Sequence, residues 1–365
     1  MQIIKTKVSD PLPDYPMEKL SDVKDILFFD IETTGFTARS SNVYMIGCLG
    51  IENGEWTASQ FFAETYSDEK EIISEFFDLA ESYSCLIHFN GNNFDIPFIE
   101  AKCKEYGLDR SFNRLKGIDI YKRIARYKGF MNLENCKQKT VERFLKIDRK
   151  DKYSGGDLIG IYHNYVSAPN DELKQLLILH NFEDLKGMLK ILPILSITDL
   201  FTEKLRVTKV SANTYKDAHG EEHSELLMTI DLPSPFPVAF SSQYEQCYFA
   251  ASKNEAVIRV PIYDCELKYF YANYKDYYYL PDEDVALHKS VASFVDKNHR
   301  EQAKAANCYT RKTSRFLPEW DALVTPFFKR EYTSRELFFE LTDERRTDRE
   351  LFSAYVSHVL DHMVV

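Results

Sequence analysis

Apolar positions in the first half of the chain come in two alternating textures, short continuous runs and helical stripes. ILFFDI (26–31) is a compact apolar run ending on an acid, the mark of a buried strand. NVYMIGCLGI (42–51) and TASQFFAE (57–64) read as two more strands, joined at the turn residues Glu52, Asn53 and Gly54. DEKEIISEFFDLAESY (68–83) sets Ile72, Ile73, Phe76, Phe77 and Ala80 on one stripe and predicts an amphipathic helix. SCLIHF (84–89) reads as a buried strand, followed by a helix from about Ile96 that Gly107 ends. A short strand around GID (117–119) precedes helices that run to about residue 195, the last of them opening on the capping residues Asn170 and Asp171. Three strands with short links, then alternating helix and strand, predict an α/β domain with a mixed sheet covered by helices.

Near residue 200 the texture changes. ELLMTIDL (225–232), EAVIRVPIY (255–263) and ELKYFYANY (266–274) predict strands, and LHKSVASFVDKNHREQAKAA (287–306) predicts a helix. The expected organisation is a first domain over 1–200 and a second, α+β domain over 201–365. Their boundary falls near 196–202, where no Gly/Ser/Pro linker marks it.

Composition bounds the classes. A chain of 365 residues with 44% hydrophobic and 28% charged residues fits an ordinary soluble globular protein. The opening residues lack a signal-peptide pattern. The most apolar stretch, LKGMLKILPILSI, is broken by Lys186, Lys190 and Pro193, so no membrane span is expected. The 7 cysteines are scattered without a CxxC pair, which points to reduced thiols in the cytoplasm and to neither a disulfide frame nor a zinc site. A net charge of -11 does not exclude a polyanionic partner, because contact depends on the local patch.

Candidate chemistry begins at Asp30 and Glu32. Side chains two apart on a strand share a face, so both carboxylates project together. Two such acids repel each other and resist burial unless a hard divalent cation joins them. The plainer reading is an acid pair on a solvated loop. Asp95 follows SCLIHF after an Asn- and Gly-rich turn, where a helix N-cap is its ordinary role. In HNFED (180–184), His180 and Asp184 share a helical stripe with Leu173 and Leu177, whereas Glu183 falls off it and reads as surface. A core histidine and a lysine-paired Asp184 are the ordinary alternatives there.

In this order, DIETTG, FNGNNFD and HNxxD resemble the motifs of the DEDD superfamily of 3′–5′ exonucleases within the ribonuclease H-like fold. NLENCKQKTVERFL (132–145), GGDLIGIYHNYV (155–166) and the HN dipeptide are similar to its YprB-type branch, and the resemblance spans residues 24–195. It implies a nucleic acid substrate and a two-metal hydrolysis, with two Mg²⁺ or Mn²⁺ ions held by Asp30, Glu32, Asp95 and Asp184. His180 stands where relatives carry the tyrosine or histidine that positions the attacking water, at the tyrosine-type spacing from Asp184. An imidazole, with an ordinary pKa of about 6.5, suits that work. Thr33 and Thr34 would lie against the terminal nucleotide, with Asn90 for substrate contact and Phe94 for stacking. Two other readings stay open: a structure-selective endonuclease using the same acids, and a non-catalytic nucleic-acid-binding protein. Against the second stands the presence of all four acids.

The second half adds a basic stretch. Lys297, Arg300, Lys304, Arg311, Lys312 and Arg315 are opposed within it only by Glu301, with His299, Tyr309 and Phe316 interleaved. Such a run can follow a phosphate backbone, and Arg311 and Lys312 are its candidate substrate contacts. A solvated helix face is the plainer reading.

Overall fold

In the computed structural model, which describes residues 1–150, 153 and 155–364, the first apolar run lies inside a six-stranded sheet. Its order is β1 (Gln2–Lys7), β4 (Glu55–Phe62), β3 (Val43–Glu52), β2 (Ile26–Thr33), β5 (Cys85–His88) and β6 (Lys116–Asp119). β1, β4, β3 and β2 pair antiparallel, while β2, β5 and β6 pair parallel, so the sheet is mixed as the pattern predicts. β2 is buried on both faces because helices cover both. On one face Phe29 stacks on Phe76 of α1 (Glu69–Ala80) at 4.9 Å. The opposite face, which carries Asp30 and Glu32, meets the long helix Asp171–Ile191.

The helices of this unit continue with α2 (Asp95–Tyr106), α3 (Ile120–Ile124), α4 (Gln138–Phe144), α5 (Gly155–Ser167), α6 (Asp171–Ile191) and α7 (Ser196–Thr202). Gly107 ends α2 at φ +63°, a left-handed position that an L side chain resists. Asn170 caps α6 by accepting from Glu172 N at 2.7 Å.

The chain divides into two compact units, Met1–Leu200 with Ser234–Val238, and Phe201–Pro233 with Ala239–Val365. The second unit is rich in sheet. Its larger sheet runs β14 (Phe327–Phe328), β15 (Leu337–Glu340), β13 (Tyr309–Glu319), β9 (Cys247–Phe270), β8 (Glu222–Tyr244), β7 (Arg206–Lys216). The smaller one runs β11 (Val285–His288), β10 (Tyr277–Leu280), β12 (Glu301–Gln302). Its helices are α8 (Lys289–Ala292), α9 (Asp343–Arg346) and α10 (Arg349–Met363), the last burying Phe352, Tyr355, Val356, Val359 and Leu360. Among the described residues no helix is long and apolar enough to cross a membrane.

Three expectations for this half need correction. The segment 287–306 is not one helix; it contributes β11, the four-residue α8 and β12, folded back so that β11 and β12 both pair with β10. Val291 and Phe294 within it are 59% and 91% exposed, so no core packs against them as one helix face. The strands expected at 255–263 and 266–274 are a single strand, since pairing with β13 runs unbroken from Tyr263↔Phe316 to Phe270↔Tyr309. The basic stretch is also less basic in space than in sequence. Arg311 pairs with Asp284, Lys312 Nζ lies 2.7 Å from Glu340, and Arg315 lies 3.6 Å from Asp264.

Candidate active site

β2 delivers the first two acids. Asp30 pairs in register with Gly47 of β3, and the missing side chain there admits α6. A Cβ on Gly47 would sit 2.1 Å from Asn181 Oδ1. Through that opening Asn181 Nδ2 donates to Asp30 Oδ2 at 2.9 Å, while its Oδ1 accepts from Gln60 Nε2 at 3.0 Å. The Tyr44 hydroxyl reaches Glu32 Oε2 at 3.5 Å, and its ring stacks on Tyr162 of α5 at 4.2 Å.

Asp95 is the first residue of α2, yet its side chain does not cap that helix. Beyond Phe28 the parallel pairing of β2 with β5 stops. The Ile31 N–H there donates to Asp95 Oδ1 at 3.1 Å, which pulls the carboxyl toward the other acids. The turn before it is built by Asp119, which accepts from Asn90 N at 2.9 Å and Asn92 N at 3.3 Å.

α6 supplies the remaining groups one turn apart. His180 Nε2 lies 3.1 Å from Asp184 Oδ2 and 3.8 Å from Glu32 Oε1. Arg149 Nη1 donates to the other oxygen of Asp184 at 2.7 Å. Glu32, His180 and Asp184 each offer a ligand atom, and these atoms all lie within 4.8 Å of one another.

The electrostatics show what the cluster lacks. Burial, and then the charges of Asp184, Asp95 and Glu32, hold the Asp30 carboxyl well above its ordinary range, against the Asn181 hydrogen bond. Burial pushes Glu32 up to about 8 despite the pull of His180, with Asp184 and Asp95 adding to the rise. Asp95 is pushed up to about 7, again first by burial. Burial acts on Asp184 too, but the His180 hydrogen bond and charge and the Arg149 guanidinium outweigh it and hold this carboxyl below its usual range. Carboxyl oxygens short of positive charge are the donor set that Mg²⁺ or Mn²⁺ takes.

Asp30, Glu32, Thr33, Phe94, His180 and Asp184 all line one cleft of about 440 Å³. Asp95, 7% exposed, is not among the lining residues but is hydrogen-bonded to the backbone of Ile31, which is. The cleft rim holds residues that the sequence reading passed over: Phe36, 83% exposed, and the exposed Lys137 and Lys139. Two expected substrate contacts, Thr34 and Asn90, are not among the residues lining this cleft, and both are engaged locally. Thr34 Oγ1 accepts from Asn42 N at 2.8 Å, and Asn90, at φ +64°, accepts from Asn93 Nδ2 at 2.8 Å. Glu183 is not a surface residue; it is 3% exposed, bound by Lys150 N at 3.1 Å and Lys186 Nζ at 3.1 Å. Arg311 and Lys312 belong to the second unit.

Residues 27–196, the stretch that carries all four acids, match the profile of the RNase_H superfamily. The N-terminal fold is ribonuclease H-like. A 46-residue part of the chain is 37% identical to a DNA polymerase of Methanocaldococcus jannaschii, covering 13% of this chain and 3% of that protein. DNA polymerase 1 of Sulfurisphaera ohwakuensis is 40% identical over 47 residues, 13% of this chain and 5% of the polymerase. Among solved structures, the zinc-ion-bound E. coli ExoI–ssDNA complex is 10% identical with a TM-score of 0.28, covering 57% of this chain and 54% of that one. An exonuclease I from Methylocaldum szegediense gives the same identity, TM-score and coverage. The chain thus spans a few per cent of the polymerases' length and about half that of the exonucleases. Gln60 and Arg149 were missed by sequence reasoning, and Asn181 and Glu142 entered it only inside quoted motifs, without a role; the ribonuclease H-like unit gives them meaning by bringing distant segments together.

Proposed function

We propose that this chain is a metal-dependent nuclease that hydrolyses phosphodiester bonds of DNA or RNA, working as a 3′–5′ exonuclease with two divalent ions. The observation that carries the reading is that Asp30, Glu32 and Asp184 line one cleft while Asp95 is hydrogen-bonded to Ile31 N of the same strand, four acids brought together from three distant segments. When bound, Mg²⁺ or Mn²⁺ at such a cluster supplies an acidified water and charge stabilisation at the scissile phosphate. Asp30, Glu32, Asp95 and Asp184 would hold the ions. His180, between Asp184 and Glu32, orients the attacking water. Thr33 and Phe94 form the wall against the terminal nucleotide. Exposed Phe36 offers an aromatic face to a base, and Lys137 and Lys139 meet the phosphates that the acidic floor would otherwise repel. No step is assigned to Arg311 or Lys312, whose charges are answered by Asp284 and Glu340. The proposal places the chain in the cytoplasm, on its seven free cysteines.

A panel of end-labelled single- and double-stranded DNA and RNA, incubated with Mn²⁺ or Mg²⁺ and resolved to single nucleotides, tests the reading. It predicts a ladder shortening from the 3′ end that disappears in Asp30→Ala and Asp184→Ala. Internal cuts would replace exonuclease with endonuclease. Binding without cleavage in either metal would leave the non-catalytic alternative standing.

A further inference from the structure

Behind Asp184 lies a run of buried polar groups to which hydrolysis assigns no task. Arg149 Nη1, besides its 2.7 Å bond to Asp184 Oδ1, lies 3.1 and 3.3 Å from the two oxygens of Glu142. Glu142 is 1% exposed and also accepts from Gln138 Nε2 at 3.0 Å; the same Gln138 nitrogen donates to the Asp184 carbonyl at 2.9 Å. Helix α6 makes room for this contact at Gly187, where a Cβ would stand 2.3 Å from Glu142 Oε1. A buried ion pair is a poor source of stability, since apolar side chains of similar volume fill the same space at no desolvation cost. Its value here lies in geometry. With Oδ1 held by Arg149 and Oδ2 by His180, the Asp184 carboxylate is fixed at both oxygens.

Granting the metal-dependent reading above, we propose that Arg149 is a positioning residue. Anchored on Glu142, it holds the Asp184 carboxylate in the orientation that an incoming divalent cation needs. The opposite role for the same guanidinium is a resident cation that competes with the metal for Asp184. The two differ in sign. Removing a positioning group weakens metal binding, typically ten- to hundredfold for a group that orients a ligand; removing a competitor strengthens it.

The test is isothermal titration of Mn²⁺ into the full chain and its variants, with circular dichroism to verify folding. Arg149→Gln is expected to weaken Mn²⁺ binding by about ten- to hundredfold. Glu142→Gln should weaken it in the same direction, and the double variant should be no worse than Arg149→Gln, because both act along one path. In an Asp184→Asn background, Arg149→Gln should change Mn²⁺ affinity little, an outcome that general destabilisation would not produce. Arg149→Lys should recover part of the loss. Equal or tighter binding by Arg149→Gln overturns the proposal. If that variant does not fold, unchanged affinity in both Arg149→Lys and Glu142→Gln overturns it. A wild-type chain that takes up no Mn²⁺ removes the nuclease reading itself, and this proposal with it.

Discussion

Asp30, Glu32 and Asp95 are carboxyls whose ionisation the fold opposes, and that opposition makes metal binding measurable through pH. Glu32 and Asp95 are pushed up to about 8 and about 7, first by burial, against ordinary unfolded values near 4. The folded state therefore binds more protons than the unfolded one between those values. Stability from these groups is full below about pH 4 and is lost as pH rises through about 7–8. Divalent ions replace the departing protons, so Mn²⁺ should raise the melting temperature far more at about pH 8 than at about pH 5. Thermal melts with and without Mn²⁺ at the two pH values check this; an equal shift at both would contradict it. Asp30, Glu32 and Asp184 were legible because strand alternation and a helical stripe fix where a side chain points, whereas Asp95 read as a helix cap and stood out only through the family resemblance. Gln60 and Arg149 were not legible. A polar residue's partner lies across the fold, and nothing in its local spacing names it.

At the scale of elements, the site depends on how closely α6 approaches β3. Gly47 has no side chain, and Asn181 fills that space to reach Asp30. Gly47→Ala should force Asn181 or the helix outward, costing about 1–3 kcal/mol of stability and lowering cleavage by loosening Asp30. Urea unfolding and turnover of an end-labelled strand measure the two effects; a variant as stable and as active as wild type would mean the contact yields without cost. Elements of the first unit were readable because their apolar periodicity is real burial: Ile72, Ile73 and Phe76 are fully buried. In the second unit periodicity misled. Val291 and Phe294 repeat as a helix would, yet both face solvent, and pairing with β10 decides the local structure. The edge strand β1, largely exposed and alternating with lysines, offered no apolar run to find.

For the whole molecule, a net charge of -11 has to be reconciled with a polyanionic substrate. Part of that acidity is concentrated at the cleft floor, where bound cations would neutralise it and leave the rim lysines to supply the attraction. The basic stretch of the second unit does not supply that attraction, since Asp284, Glu340 and Asp264 answer its arginines and lysine. The decisive quantity is therefore metal uptake. Electron paramagnetic resonance of Mn²⁺ titrated into the full chain should show about two ions bound per molecule, magnetically coupled to each other. That bound signal should vanish in the Asp30→Asn/Asp184→Asn double variant. A wild-type chain that leaves all Mn²⁺ free, or a double variant that binds as much as wild type, would contradict the account.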